Sequence, residues 1–199
     1  MDSFQLATIP GDLTWLRPPL DHSLDATGLM IQAGALTDWF IDPAGSVTIS
    51  NAPVALFTPP IGDFVLQARV AVAFGATYDA GVLFIYGDDA HWAKLCFEFS
   101  PQDEPMIVSV VTRDSSDDCN SVVIDGREVY LRVSRNGLSW AFHYSRDGKV
   151  WRMVRTFRAQ PAETRIGFSA QSPRGQACQV RFTEIEWRQG GVADIRSGM

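Results

Sequence analysis

The sequence predicts an all-β sandwich, on three observations. Short runs of alternating apolar and polar residues recur from residue 61 onward, turn-forming residues separate them, and helical periodicity is hard to find. Residues 4–35 are rich in Pro, Gly and Asp, with Pro18-Pro19 and Gly28 as breakers, and suggest a short strand or two among loops. Strands are expected over 62–74, 80–87, 92–99, 106–113, 128–135, 138–145, 150–158, 164–171 and 177–187. Gly87-Asp88-Asp89, Pro101 to Pro105, Asn136-Gly137, Arg146-Asp147-Gly148 and Pro173-Arg174-Gly175 mark the turns. Asn136-Gly137 is the strongest hairpin signal, because both residues accept the positive φ of a type I′ turn. Residues 1–189 are expected to form one domain, without internal repeat or linker, and the polar, Gly-containing segment 190–199 to fray.

Composition excludes several function classes. At 199 residues the chain is long enough to bury a substantial core, and sandwiches of this size are commonly single domains. A net charge of -6 with no Lys/Arg run lacks the electrostatic footprint of nucleic-acid binding, and disfavours anionic membrane surfaces equally. The apolar run Val70 to Phe74 is far too short to span a bilayer. Met1-Asp2-Ser3-Phe4-Gln5 has neither the basic start nor the apolar stretch of a signal peptide. Cys96, Cys119 and Cys178 are odd in number and widely separated, with no CxxC or Cys/His zinc spacing. Reduced thiols, a cytoplasmic location, and no metal or cofactor are the expectation.

The segment Trp92-Ala93-Lys94-Leu95-Cys96-Phe97-Glu98-Phe99 carries the functional signal. In a strand Ala93, Leu95, Phe97 and Phe99 point one way as core, while Trp92, Lys94, Cys96 and Glu98 point the other. One sheet face thereby presents an aromatic ring, an ammonium and a carboxylate. Leu66, Val70, Val72, Phe97, Val108, Val110, Leu131, Val133, Phe142, Val154, Phe168, Val180 and Phe182 are the expected core. Their opposite faces carry Gln67, Arg69, Arg113, Tyr130, Arg132, His143, Trp151, Arg155 and Gln171, a mixture suited to stacking on a ligand ring and bonding its polar edge.

Several motifs fall in order along the chain: Leu13-Thr14-Trp15-Leu16, Asp38-Trp39-Phe40, Tyr78-Asp79-Ala80-Gly81-Val82-Leu83, Trp92-Ala93-Lys94-Leu95, Glu98, Ser109 to Arg113, Ser116 to Ser121, Tyr144 to Trp151, Gly167-Phe168 and Gln171-Ser172-Pro173. Over roughly residues 12–187 the chain resembles the concanavalin A-like lectin/glucanase superfamily, and within it the largely uncharacterised family that includes YesU and the fungal regulation-of-enolase protein. The resemblance implies a jelly-roll sandwich of two antiparallel sheets, one convex and one concave. It supplies no established reaction, because fold does not dictate function. Where the family often reads Tyr-Asp-Gln-Ala-Gly, this chain reads Tyr78-Asp79-Ala80-Gly81 and lacks that glutamine.

Two readings follow. In the first, a lectin-like module holds a carbohydrate or small polar metabolite on the concave face through Trp39, Tyr78, Asp79, Trp92, Lys94, Glu98, Arg113, Arg132, Arg155 and Gln171. In the second, a small-molecule isomerase, lyase or hydrolase uses Glu98 as general base, with Lys94, Arg113 or His143 assisting. Glycoside hydrolysis is disfavoured: Glu98 stands alone where superfamily glucanases carry Glu-x-Asp-x-x-Glu, and the reaction needs two carboxyls about 5–10 Å apart. Each candidate also has a structural role to set against the functional one. Lys94 and Glu98 could form a simple ion pair, Trp92 could plug the groove against Trp39 or Trp151, Arg132 and Arg155 could be surface charges, and Asp79 could cap backbone amides. The acidic run Asp114 to Asp118 reads as a solvated loop. A protein partner or a homodimer stays open.

Overall fold

A computed structural model describes residues 3–159 and 164–199. The first strands are β1 (Ser3–Phe4), β2 (Leu13–Arg17), β3 (Asp21–Asp25), β4 (Gly28–Gly34), β5 (Trp39–Ile41), β6 (Thr48–Ser50) and β7 (Val54–Phe57). The long central strands are β8 (Phe64–Val72), β9 (Ala80–Asp88), β10 (His91–Phe99), β11 (Pro105–Arg113) and β12 (Ser115–Val123). β13 (Glu128–Asn136), β14 (Ser139–Ser145), β15 (Arg152–Arg158), β16 (Arg165–Gln171) and β17 (Ala177–Gln189) complete the chain.

Fifteen of them form two antiparallel sheets packed face to face, the all-β sandwich expected, while β5 and β6 pair as a separate hairpin. The eight-stranded sheet runs β1-β2-β7-β16-β9-β10-β11-β12, and the seven-stranded sheet runs β15-β14-β13-β8-β17-β4-β3. Long-range pairs such as β7 with β16 and β4 with β17 stitch early strands to late ones, as in a jelly roll. No helix among the described residues is long and apolar enough to cross a membrane.

The main core lies between the sheets and is built from alternate residues such as Leu66, Val70, Leu95, Phe97, Leu131, Phe142, Phe168 and Phe182. A second apolar layer lies on the outer face of the eight-stranded sheet. There Phe84, Trp92, Cys96, Val108 and Val110 are roofed by Trp39 and partly by Ile41 of the β5–β6 hairpin. Val108 and Val110, expected in the main core, belong to this second layer. β11 is apolar on both faces, so its inward side (Ile107 and Val111) could not be told from its outward one.

Two local expectations are corrected. The acidic run expected to be a loop forms edge strand β12, hydrogen-bonded to β11 with Val110 opposite Asp118. The turn at Asn136-Gly137 is shifted by one: Asn136 pairs with Ser139, and Gly137 alone takes a positive φ of 60°, the type II′ pattern. Residues 190–199, expected to fray, pack against the sandwich in this structure. They lie on the outer face of the seven-stranded sheet, where Arg132 donates to the carbonyl of Gly198, the His143 ring bonds that of Ile195, and Asn136 donates to that of Val192.

Candidate functional site

The alternation of β10 is as the sequence predicts. Lys94 and Glu98, four residues apart, project from the outer face of the eight-stranded sheet into a cleft of about 580 Å³. That volume lies within the roughly 300–1,000 Å³ of small-molecule sites. Gln171, the last residue of β16, and Tyr78, before β9, join them on one side; Asp118 and Asn120 of β12 stand on the other. Phe40, Val47 and Ile49 from the β5–β6 hairpin, with Met106 and Val110 of β11, make an apolar wall.

Lys94 and Glu98 do not pair with each other. The Lys94 ammonium is 2.9 Å from Asp38 Oδ1 and donates at 3.0 Å to Gln171 Oε1. Gln171 turns its amide nitrogen the other way, 3.2 Å from the Tyr78 carbonyl and 3.5 Å from Glu98 Oε2. One glutamine therefore stands between the ammonium and the carboxyl in a buried row, with Lys94 3% and Glu98 9% exposed. Burial alone would strip the charge from Lys94, but Asp38, Cys96 and Glu98 around it hold its pKa above the usual lysine value. Burial pushes Glu98 up to about 8, with the attraction of Lys94 recovering only part of the shift. Asp118 is raised by desolvation as well.

The end of the cleft is built by loops. Asp79 accepts the amides of Gly75 and Ala76 at 2.9 Å and the Ser172 hydroxyl at 2.7 Å, tying the β8–β9 loop to the segment after β16. Fully buried, it organises the corner instead of facing the cleft. Tyr78 beside it takes a φ of 70°, a conformation that a bulky residue holds only when its surroundings enforce it. The Tyr78 amide donates to the Phe99 carbonyl at 2.7 Å.

The remaining candidates lie elsewhere. Trp92 is 3% exposed, stacked on Phe84 at 5.6 Å and edge-on to Trp39 at 5.9 Å, so both tryptophans are packing residues, Trp39 in the hairpin and Trp92 beneath it. Arg113 donates to the Arg158 carbonyl at the edge of the sandwich, and Arg155 pairs with Asp117 across that edge. Arg132 and His143 face outward from the seven-stranded sheet, on the opposite side of the molecule, where Arg132 lies 3.5 Å over the Trp151 ring under residues 190–199. Strand alternation gives each residue a face but not a sheet, which is why two outer surfaces merged into one in the sequence. Asp38, Phe40, Asp118, Asn120 and Arg174 were missed. Ser116, Asp118 and Asn120 do alternate, but without apolar partners that period reads as a polar loop.

An all-β sandwich with a ligand-sized cleft on one outer sheet face is the class that fold and site define. Residues 15–190 match the family described as "Protein of unknown function (DUF1349)", and the chain belongs to that family. It is 26% identical over 174 residues to a Saccharomyces cerevisiae protein named "Regulation of enolase protein 1", covering 86% of each chain. A crystal structure of a functionally unknown protein from Saccharomyces cerevisiae superposes with a TM-score of 0.80 at 24% identity, covering 89% of this chain and 96% of that one. A structure described as Bacteroides ovatus Xyloglucan PUL GH43B matches with a TM-score of 0.68 at 16% identity, over 85% of this chain but 34% of that protein. These likenesses establish the β-sandwich fold.

Proposed function

We propose that the cleft binds a small polar ligand, a carbohydrate or a polar metabolite, in the manner of a lectin. The observation that carries this reading is the buried Lys94–Gln171–Glu98 row, which opens into a cavity walled on its other side by Phe40, Val47 and Ile49. An apolar wall facing a few convergent polar groups is the usual form of a small-molecule site. The same fold within a protein whose description names xyloglucan fits a sugar ligand. A thermal-shift titration against mono- and oligosaccharides, sugar acids and common metabolites tests the reading. A true ligand raises the midpoint in proportion to the logarithm of its concentration over Kd. The rise is expected to vanish in Gln171→Leu and to shrink in Phe40→Ala. A ligand whose effect is undiminished in both variants would contradict it.

A second reading has one observation in its favour. A buried Glu98 with a pKa near 8 is suited to move protons at neutral pH, with the Lys94 ammonium close by. Turnover of a bound ligand that disappears in Glu98→Gln would establish this small-molecule enzyme. His143, on the other sheet, would take no part.

A further inference from the structure

We propose that the cleft selects an uncharged, hydroxyl-rich ligand, and that Glu98 meets it as a neutral carboxyl that donates a hydrogen bond. This rests on the binding reading above and names the chemistry of the ligand.

Charge in the floor of the cleft is already balanced. Lys94, the one ammonium there, has its counter-ion in Asp38 at 2.9 Å. Glu98 has none within ion-pair distance among the described residues: its hydrogen-bond partner is the Gln171 amide at 3.5 Å on Oε2, and its Oε1 meets no hydrogen-bond donor among them. A carboxyl group that is nine-tenths buried and has no cation within ion-pair distance avoids the cost of desolvated charge by keeping its proton. It then offers an O–H donor and acceptor lone pairs. The groups that surround it are Lys94 and Cys96 on its own strand, Asp38 before the hairpin, Asp118 on β12, and Tyr78 and Arg174 on the loops. At the buried floor a charged ligand group meets the Lys94–Asp38 pair already matched. Arg174 and Asp118, exposed at the rim, have no ion-pair partner among the described residues but are of opposite sign, so the lining offers no net excess of either charge. A hydroxyl group suits what is open there: the Glu98 carboxyl, the third Lys94 proton and the Asn120 amide.

The test compares matched probes by calorimetry at pH 6.5: glucose, galactose, xylose and cellobiose, with glucosamine, galactosamine, glucuronate and galacturonate as charged counterparts. At least one neutral sugar is expected to bind, with its charged counterparts more than ten-fold weaker. Glu98→Gln, which keeps a neutral donor, should hold that affinity within about three-fold; Glu98→Leu should lose at least ten-fold while remaining folded by circular dichroism. Raising the pH to 9 should weaken the wild type and leave Glu98→Gln unchanged. Tighter binding of an amino sugar or a uronate would overturn the inference and leave the binding reading intact. Loss of binding in Glu98→Gln would overturn it in favour of an ionised Glu98. Binding by no member of either charge class overturns it too, and a negative wider metabolite screen would then remove the binding reading as well.

Discussion

Trp92 and Glu98 leave the same face of β10, yet the hairpin gives them opposite fates. Trp92 lies under Trp39 and against Phe84, and its ring closes the outer apolar layer. Trp92→Ala is therefore expected to cost about 3–5 kcal/mol of stability, as large-to-small changes in cores do, and to lower the thermal midpoint markedly. A variant with the native midpoint and selectively lost ligand binding would return Trp92 to the cleft. Glu98 instead lies beyond the hairpin's cover, where the cavity opens. Both residues were legible as outward-facing from alternation alone. Which of them meets a ligand was not, because that depends on where a separate hairpin, far earlier in the chain, comes to rest.

At the scale of elements, the β5–β6 hairpin is fastened at its root and along its side. Asp38, just before β5, pairs with Lys94 and accepts the amide of Trp39, while the Ile41 amide donates to Ser116 of β12 at 2.9 Å. Asp38→Asn leaves the Lys94 ammonium buried without its counter-ion, a change that typically costs about 3–5 kcal/mol for a fully buried pair and less here, where Asp38 keeps some contact with water. Adding Lys94→Met to Asp38→Asn is expected to restore part of that loss. Additive costs in a double-mutant cycle by chemical denaturation would show that the pair does not fasten the hairpin. Gly167 is constrained from the other side: a Cβ there would lie 1.9 Å from the Ala55 carbonyl oxygen. Gly167→Ala should therefore break the β7–β16 pairing that leads to Gln171, and soluble, native-like protein would contradict this. Elements with strong alternation, such as β8, β13 and β17, were readable to within a few residues. β12 was not, since an edge strand with Asp117, Asp118 and Asn120 on its two faces is held by backbone pairing with β11 and leaves no apolar period.

For the whole molecule, the buried Glu98 sets a pH dependence opposite to that of a salt-bridged acid. Its pKa in the folded state, about 8, lies above the ordinary 4.5. The stability associated with its proton is thus complete below about pH 4.5 and is lost as the pH rises through 8. Asp118 shifts in the same direction. His143, whose pKa burial lowers, acts with the other sign and withdraws stability as the pH falls through the ordinary histidine range. The thermal midpoint should fall between pH 6.5 and 9, and Glu98→Gln should flatten that fall; equal slopes in both proteins would mean that Glu98 is solvated. The two outer faces of the sandwich thereby have different tasks. Residues 190–199 cover the seven-stranded sheet over Arg132, His143 and Trp151, while the eight-stranded sheet keeps an open cleft beside its hairpin.

The most direct measurement is a crystal structure of the protein with the best ligand from the thermal-shift titration. Density in the cleft is predicted, with a ligand hydroxyl within hydrogen-bond distance of Glu98 and the Lys94–Asp38 pair intact. A ligand seated instead over Trp151 and Arg132, or contacting none of Lys94, Glu98 and Gln171, would contradict the assignment of the site.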